Sequence, residues 1–158
     1  MEEAEARGRF LAARVARLAT VDAEGRPHLV PVVFAGHGDG IVTAVDHKPK
    51  RSLRLRRLRN IAGHPAVCLI VDAYDEDWDR LWWVRADGEA RILPPDTPEP
   101  GLPAHATAQE PHAYAAAIAV LREKYTQYRR EPPDGPVIAI TVHGWHGWRA
   151  APQARSSG

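Results

Sequence analysis

Short runs of apolar and β-branched residues, separated by turn residues, recur along the chain and predict strands. Gly88 lies inside the longest of these runs and predicts a bulge where that strand bends. Strands that follow one another through tight turns favour an antiparallel sheet that closes into a small barrel. The predicted strands are 18–21, 27–34, 41–45, 66–74, 81–93 and 137–142, the last extending into Trp145 and Trp148.

Helical spacing of apolar residues appears in three places and predicts helices packed outside the barrel. The predicted helices are residues 2–18, a short basic helix ending at Gly63-His64-Pro65, and a helix from Pro111 with a stripe of Tyr114, Ile118, Leu121, Tyr125 and Tyr128. Residues 94–104 hold five prolines and predict a surface loop. The fold class is therefore mainly β (α+β), with a single split β-barrel domain over 1–150 and a loose tail over 151–158. A doubly wound α/β fold is not favoured.

Composition restricts the class of protein. With 158 residues, 44% hydrophobic and 26% charged, the chain fits one folded, soluble domain. No run reaches the roughly eighteen apolar residues of a membrane span, and the acidic start Met1–Glu5 differs from a signal peptide, so we expect a cytoplasmic protein. Cys68 is the single cysteine, which excludes an internal disulfide and is typical of an inert core thiol.

Positive charge is concentrated in one segment. Without its seven basic residues, 14 of the 21 remain against 20 acidic ones, so the rest of the chain carries about −6. A compact cationic site on an acidic body favours a small anionic ligand over a long polyanion. A solvated helix face balanced by nearby acids remains the alternative. The seven residues are Lys48, Lys50, Arg51, Arg54, Arg56, Arg57 and Arg59.

Acidic residues bunch just after the strand that follows the basic helix. They are either counter-charges for that helix, a loop that closes over a cofactor or contacts a partner chain, or a hydrated surface turn. The sequence leaves these alternatives open. The residues are Asp72, Asp75, Glu76, Asp77 and Asp79.

Aromatic residues and histidines are the remaining candidates for a site. Trp82 and Trp83 are adjacent on a predicted strand and must point to opposite faces, so one can fill the core while the other meets a partner or a flat ring, although core packing is open for both. His143 and His146 are predicted on opposite faces, and no set of ligands at zinc spacing is present, so no metal site is expected. Dinucleotide, P-loop and serine-hydrolase motifs are missing from the sequence.

The order and spacing of several short segments resemble the pyridoxamine 5′-phosphate oxidase-like split β-barrel superfamily, in particular its actinobacterial branch of F420-dependent enzymes. The resemblance covers roughly residues 8–149. The segments are Phe10-Leu11 with Leu18-Ala19-Thr20-Val21, Pro27-His28-Leu29-Val30-Pro31-Val32-Val33-Phe34, Arg57-Leu58-Arg59-Asn60-Ile61, Val71-Asp72-x-Tyr74-x-x-Asp77-Trp78, Leu81-Trp82-Trp83-Val84-Arg85-x-x-Gly88 and Lys124-Tyr125-x-Gln127-Tyr128.

This resemblance implies an oxidoreductase that acts as a homodimer and binds F420 or FMN in a groove between two protomers. Arg51 and Arg54 would suit the polyglutamate tail of F420, which favours the deazaflavin. By position, the resemblance places Val32 and Val33 beside the ring, Thr43 and Val45 near the ribityl chain, Lys48, Lys50 and Arg57 at the phosphate, and Trp83 and Arg85 toward the cofactor of the neighbouring subunit.

The chain also departs from the family's pattern. Authentic pyridoxamine-phosphate oxidases carry an arginine and a lysine on the ring-facing strand, where this chain has Val30 and Ala35, so activity on pyridoxamine phosphate is not expected. Hydride chemistry resides in the cofactor, and no catalytic residue is assigned for the small organic substrate. A non-catalytic cofactor carrier is the alternative. An arginine-rich nucleic-acid binder is disfavoured by the acidic remainder of the chain, and neither nucleic acid nor membrane is an expected partner.

Overall fold

The computed structural model describes residues 1–45, 51–95 and 112–151, with the backbone alone described for 51–55. Lys48, Lys50, most of the predicted proline-rich loop and the predicted tail from residue 152 onward lie outside these ranges. The strands are β1 (Ala16–Val21), β2 (Pro27–Val32), β3 (Ala35–His37), β4 (Gly40–Ala44), β5 (Ala66–Ala73), β6 (Trp82–Leu93) and β7 (Val137–Arg149). The helices are α1 (Glu3–Ala12), α2 (Arg51–Gly63), α3 (Ala113–Lys124) and α4 (Thr126–Arg130), with a 3-10 turn at Trp78–Arg80.

The strands form one seven-stranded antiparallel sheet in the order β2-β1-β5-β6-β7-β4-β3. This arrangement confirms the predicted mainly antiparallel α+β fold of the split β-barrel class. Strand β2 lies at an edge, which is where Pro31 is tolerated, because an edge strand has a free side that needs no donor. The short strand β3 was not predicted; it pairs with β4 across the turn at Gly38, whose φ is 57°.

The bulge predicted at Gly88 is confirmed. Asp87 pairs with Gly144 but Gly88 pairs with Val142, so β7 contains one extra residue, His143. A Cβ on Gly88 would clash with the carbonyl oxygen of Thr141, so this position needs glycine for close approach of the two backbones. The bulge resets which side chains of β7 face inward.

Helix α1 closes one end of the barrel core. Phe10 is completely buried, and its ring centroid lies 5.1 Å from that of Phe34 and 5.2 Å from that of Trp145. The predicted helix over 2–18 is too long, because α1 ends at Ala12 and β1 begins at Ala16. From there the chain alternates between buried and more exposed residues, which is the period of a strand.

Helix α2 closes the opposite end of the same core. Its Leu58 and Ile61 are buried among the inward-facing side chains of the sheet. Asn60 donates a hydrogen bond from Nδ2 to the Thr20 hydroxyl at 3.1 Å, so a buried amide anchors the helix to β1. The helix ends at Gly63, as predicted.

A second apolar cluster packs α3 and α4 against β3, β4 and the start of β7. The predicted continuous helix is interrupted at Tyr125, which is extended with φ −118° and ψ 119°. In this conformation the Tyr125 hydroxyl lies 2.8 Å from the carbonyl oxygens of Arg14 and Phe34 and accepts from the Phe34 N–H at 3.0 Å. These bonds explain the break, because the tyrosine satisfies backbone groups that the helix itself could not reach.

No helix within the described ranges is long and apolar enough to cross a membrane.

Candidate functional site

The candidate site lies on the outer face of the sheet, away from the core. Along β6, alternate residues are buried inside, whereas Trp83, Arg85 and Asp87 point outward and are half-buried. Strand pairing places neighbours from β5 and β7 on either side of each of them. The three rows are Asp72–Trp83–Trp148, Ile70–Arg85–His146 and Cys68–Asp87–Gly144.

A groove of about 540 Å³ runs along one end of this outer face. Its aromatic walls are unusually accessible, since Tyr74 is 81% exposed and Trp148 is 47% exposed. Trp82 points the other way, packs against the core, and lies under the Arg9 guanidinium at 5.2 Å from the ring centroid. The prediction that Trp82 and Trp83 face opposite sides is therefore confirmed. The groove is lined by Ile70, Asp72, Ala73, Tyr74, Leu81, Trp83, Arg85 and Trp148, and Trp82 also borders it.

Arg85 is held in place by a neighbouring carboxylate. Its Nε and Nη2 donate to Asp87 Oδ2 at 3.0 and 2.9 Å, and His146 Nε2 lies 3.3 Å from the same oxygen. Hydrogen bonding to Asp87 raises the pKa of Arg85, followed by the charge attraction between the two. The groove therefore has a fixed cation beside its aromatic wall.

The two histidines of β7 lie on the same side of the sheet, contrary to the prediction. His143 Nε2 is 3.8 Å from Glu89 Oε2, and Glu89 faces outward on β6 two residues from Asp87, the partner of His146. The extra residue at the bulge shifts the alternation by one, which a strictly regular strand would not do. Within the described residues, no group of His, Cys, Asp and Glu side chains is arranged to hold a metal ion.

Cys68 lies on the outer face opposite Asp87, not in the core as predicted. Cys68 is half-buried because the residues of its apolar run point alternately inward and outward. Burial raises the pKa of the Cys68 thiol, and the nearby Asp87 charge raises it further. The thiol stays protonated near neutral pH and is a poor nucleophile.

A cationic cluster lies at the α2 end of the barrel, around His28 of β2. Burial lowers the pKa of His28, and the charges of Arg56 and Arg57 lower it further, so the imidazole is neutral near pH 7. The His28 Nδ1 is buried and has no hydrogen-bond partner among the described residues. Arg56 Nη2 lies 3.9 Å from Asp22 Oδ2.

Sequence reasoning did not assign a role to His28. The signal was present, because His28, Val30 and Val32 are alternate residues of one strand, and a histidine among inward-facing valines is a polar group without an evident partner. The positions of Arg56 and Arg57, which come from a helix distant in sequence, give that histidine its electrostatic surroundings.

The residues predicted beside the ring and ribityl chain occupy the ends of β2 and β4. Thr43 is completely buried and its hydroxyl donates to the Val33 carbonyl at 2.7 Å, which brings the two strand ends together. Val32 and Val45 are buried in the core, and Val33 packs against the second cluster. Arg51 begins α2, and the role of its side chain stays a prediction.

One protomer does not bring all the predicted cofactor residues onto one surface. Arg57 lies near inward-facing His28 at the α2 end, whereas Trp83 and Arg85 lie on the outer face near the start of β6. A ligand that touches both groups must therefore lie between two copies of the chain or span a sheet edge.

Fold and groove together define a split β-barrel protein with an aromatic, cation-bearing groove on its sheet. The family model for pyridoxamine 5′-phosphate oxidase matches residues 2–149, and the chain belongs to that family. Among curated proteins, none matches. The F420-dependent branch stays a prediction.

Solved structures share the fold at low sequence identity. A conserved hypothetical protein of Mycobacterium tuberculosis is 21% identical with a TM-score of 0.67, covering 94% of this chain and 85% of the other. An FAD-binding protein of Mesorhizobium loti is 19% identical with a TM-score of 0.61, covering 93% and 92%. The heme storage protein HutZ of Vibrio cholerae is 17% identical with a TM-score of 0.65, covering 94% and 95%.

Proposed function

We propose that this protein is an oxidoreductase that binds F420 or FMN at the interface of a homodimer and transfers hydride to or from a small organic substrate. The observation that carries the proposal is the groove with Trp83, Trp148 and Arg85 on the outer face of the sheet, in a chain of the pyridoxamine 5′-phosphate oxidase family. The similarity in fold to an FAD-binding protein supports a flavin-type ligand.

The groove suits a flat ring system. Trp83 and Trp148 offer aromatic surface, and Arg85, fixed by Asp87, places a positive charge beside it. The ring supplies the hydride chemistry when bound. The protein's own residues would orient the ring, exclude water and hold the cation in position, which requires no acid or base of unusual pKa.

The α2 end suits a phosphate. Arg57 and neutral His28 would contribute donors there, and the buried His28 Nδ1 has no hydrogen-bond partner among the described residues. Lys48, Lys50 and Arg51 would complete the cationic site by their position in the sequence. Because the aromatic groove and this cluster lie on different surfaces of one protomer, the proposal places the complete site between two copies.

Binding is the first test. Native mass spectrometry of the protein with FMN, F420, FAD or heme should show FMN or F420 bound to a dimer. Trp83→Ala should weaken that binding about tenfold or more, because a stacked ring loses its aromatic contact. Trp145→Phe, on the inner face of β7 and not part of the groove lining, should leave affinity unchanged. Binding of heme alone, or of none of the four ligands, would contradict the proposal.

Turnover separates an enzyme from a carrier, the second candidate, which the fold similarity to a heme storage protein favours. The reduced cofactor–protein complex should be reoxidised by a member of a panel of unsaturated acceptors under anaerobic conditions, followed by absorbance. Stable binding with no reoxidation by any acceptor would favour the carrier. A gel shift with DNA at increasing salt checks the remaining alternative, because backbone binding weakens steeply with salt.

A further inference from the structure

Strand β5 has opposite charges at its two ends. Helix α2, which precedes it, presents Arg56, Arg57 and Arg59 among its described side chains, and Arg56 and Arg59 are exposed. Arg56 has a local acidic neighbour in Asp22 at 3.9 Å, and Arg57 and Arg59 have interactions of their own. The end of β5 and the segment that follows it are acidic; we call residues 72–79 the acidic loop. Its acids are Asp72, Asp75, Glu76, Asp77 and Asp79.

The two charged groups lie toward opposite ends of β5. The six residues 66–71 of β5 separate them, which corresponds to about 20 Å at the rise of a strand. Charges screened over a Debye length of about 8 Å at physiological ionic strength barely attract at that distance. The loop finds two local partners, since Arg17 lies 3.0 Å from Asp72 and Arg80 lies 3.5 Å from Asp75. Within the described residues, Glu76, Asp77 and Asp79 make no ion pair.

The acidic loop also exposes large aromatic side chains. Tyr74 is 81% exposed and Trp78 is 72% exposed. Exposed aromatic residues beside charged ones are common at protein–protein interfaces. The loop adjoins the groove through Tyr74, so it continues the outer face on which the proposed homodimer forms.

We propose that the acidic loop of one protomer docks on the exposed face of helix α2 that carries Arg56 and Arg59 in a second copy, apart from Arg57, which is assigned to the phosphate. Two such contacts, related by a twofold axis, orient the homodimer. A twofold axis across the outer face runs the β5 strands of the two copies in opposite directions, so the acidic end of one lies beside the basic end of the other. The contact forms twice in each dimer. This inference rests on the homodimer part of the proposed function and needs no cofactor.

Charge reversal gives a direct test. One variant carries Glu76→Lys and Asp79→Lys, and the other carries Arg56→Glu and Arg59→Glu. Each variant alone faces like charges at both contacts and should dimerise about tenfold or more weakly than the wild type. Mixed together, they restore opposite charges at both contacts, so heterodimers should exceed about nine-tenths of all dimers.

Native mass spectrometry without cofactor measures the heterodimer fraction. As a matched control, Arg122→Glu with Arg130→Glu makes the same charge change on α3 and α4 and should mix with the loop variant in the statistical proportion, about half heterodimer. If the helix variant and the loop variant also form heterodimers in the statistical proportion of about half, the inference is overturned. If a reversed variant does not fold by circular dichroism, the wild-type dimer itself should dissociate more readily in high salt, and no salt effect would overturn the inference.

The outcomes for the two proposals are distinguishable. A dimer that binds FMN or F420 but shows no pairing preference contradicts the docking contact alone. A monomer at every concentration contradicts both the docking contact and the homodimer, whereas the cofactor titration of the same sample still tests cofactor binding by itself.

Discussion

The two faces of strands β5 and β6 differ more than their sequences suggest. On the inner face, Leu69, Val71 and Val84 are almost fully buried in the core. On the outer face, Ile70 and Trp83 are only half-buried in one protomer and share the surface with Arg85. Neighbouring residues of the same strand therefore have very different surroundings.

This difference shows that the outer face is not an ordinary solvated sheet surface. An antiparallel sheet with one wet face usually alternates apolar and polar residues. Here the outer positions include Ile70, Trp83 and Trp148 beside charged groups, which is the mixture found at interfaces and ligand sites. The inner face accounts for folding, and the outer face is available for binding.

Replacement of neighbouring residues on the two faces should separate these roles. Leu69→Ala removes a fully buried side chain and should lower the free energy of unfolding by about 3 kcal/mol, within the range for core cavities. Ile70→Ala should cost less than about 1 kcal/mol in folding at protein concentrations too low for association. Urea denaturation followed by circular dichroism measures both. Equal losses would contradict the distinction between the faces.

The Tyr125 hydroxyl closes the inner face through its hydrogen bonds to backbone groups. Removal of this hydroxyl should have the next largest effect on the free energy of unfolding. Tyr125→Phe leaves the buried Phe34 N–H without its acceptor, so we expect a loss of about 1–3 kcal/mol. Tyr74→Phe removes a hydroxyl from an 81% exposed residue of the outer groove and should change stability by less than about 0.5 kcal/mol. Thermal and urea unfolding of both variants provide the comparison; a silent Tyr125→Phe would mean that the hydroxyl is not needed to close the core.

The inner face was largely predictable from the sequence, because runs of β-branched residues identify strands wherever one face is buried. Errors came where two periods fit the same residues. Leu11, Val15 and Leu18 suit a helix, but Ala16, Leu18 and Thr20 suit a strand, and pairing with β2 and β5 decides for the strand. The break at Tyr125 could not be read locally, since its hydrogen bonds reach Arg14 and Phe34.

The outer site was only partly predictable. Alternation alone placed Trp83 opposite Trp82, and a glycine within a strand predicted the bulge. The side of His143 could not be inferred, because it depends on which strand contains the extra residue. The role of His28 depends on α2, which packs beside it only in three dimensions.

The ionisation of Lys124 tests the packing of the inner face through the pH dependence of the unfolding free energy. Burial against the Phe34 ring, 3.9 Å from its Nζ, and the Arg14 charge lower the pKa of Lys124 to about 8 from 10.5, although Nζ also donates to the Leu11 and Ala13 carbonyls. Between pH 8 and 10.5 the unfolded lysine holds a proton that the folded one has lost, so this group makes stability rise with pH.

The expected gain is on the order of 1 kcal/mol, because solvent screens a half-buried group. Lys124→Met should remove it. The measurement is the difference in unfolding free energy between wild type and variant, compared at pH 7 and pH 10. Cys68 and Tyr125 have raised pKa values, which make stability fall as pH rises, and their contributions cancel in this difference because both proteins contain them. A difference that does not change with pH would mean that Lys124 keeps its ordinary pKa in the folded protein.

The smallest expected effect belongs to the outer face and depends on whether a partner covers it. Arg17 and Asp72 form an ion pair at 3.0 Å, with side chains 47% and 39% exposed. In a monomer, a double-mutant cycle with Arg17→Met and Asp72→Asn should give a coupling energy of about 0.5 kcal/mol or less, as exposed pairs do. At concentrations where the proposed dimer would form, a coupling energy that exceeds about 1 kcal/mol would indicate that association removes water from the pair. Equal coupling in both states would show that the outer face stays wet around β1 and β5, and would place any interface farther along β6 and β7.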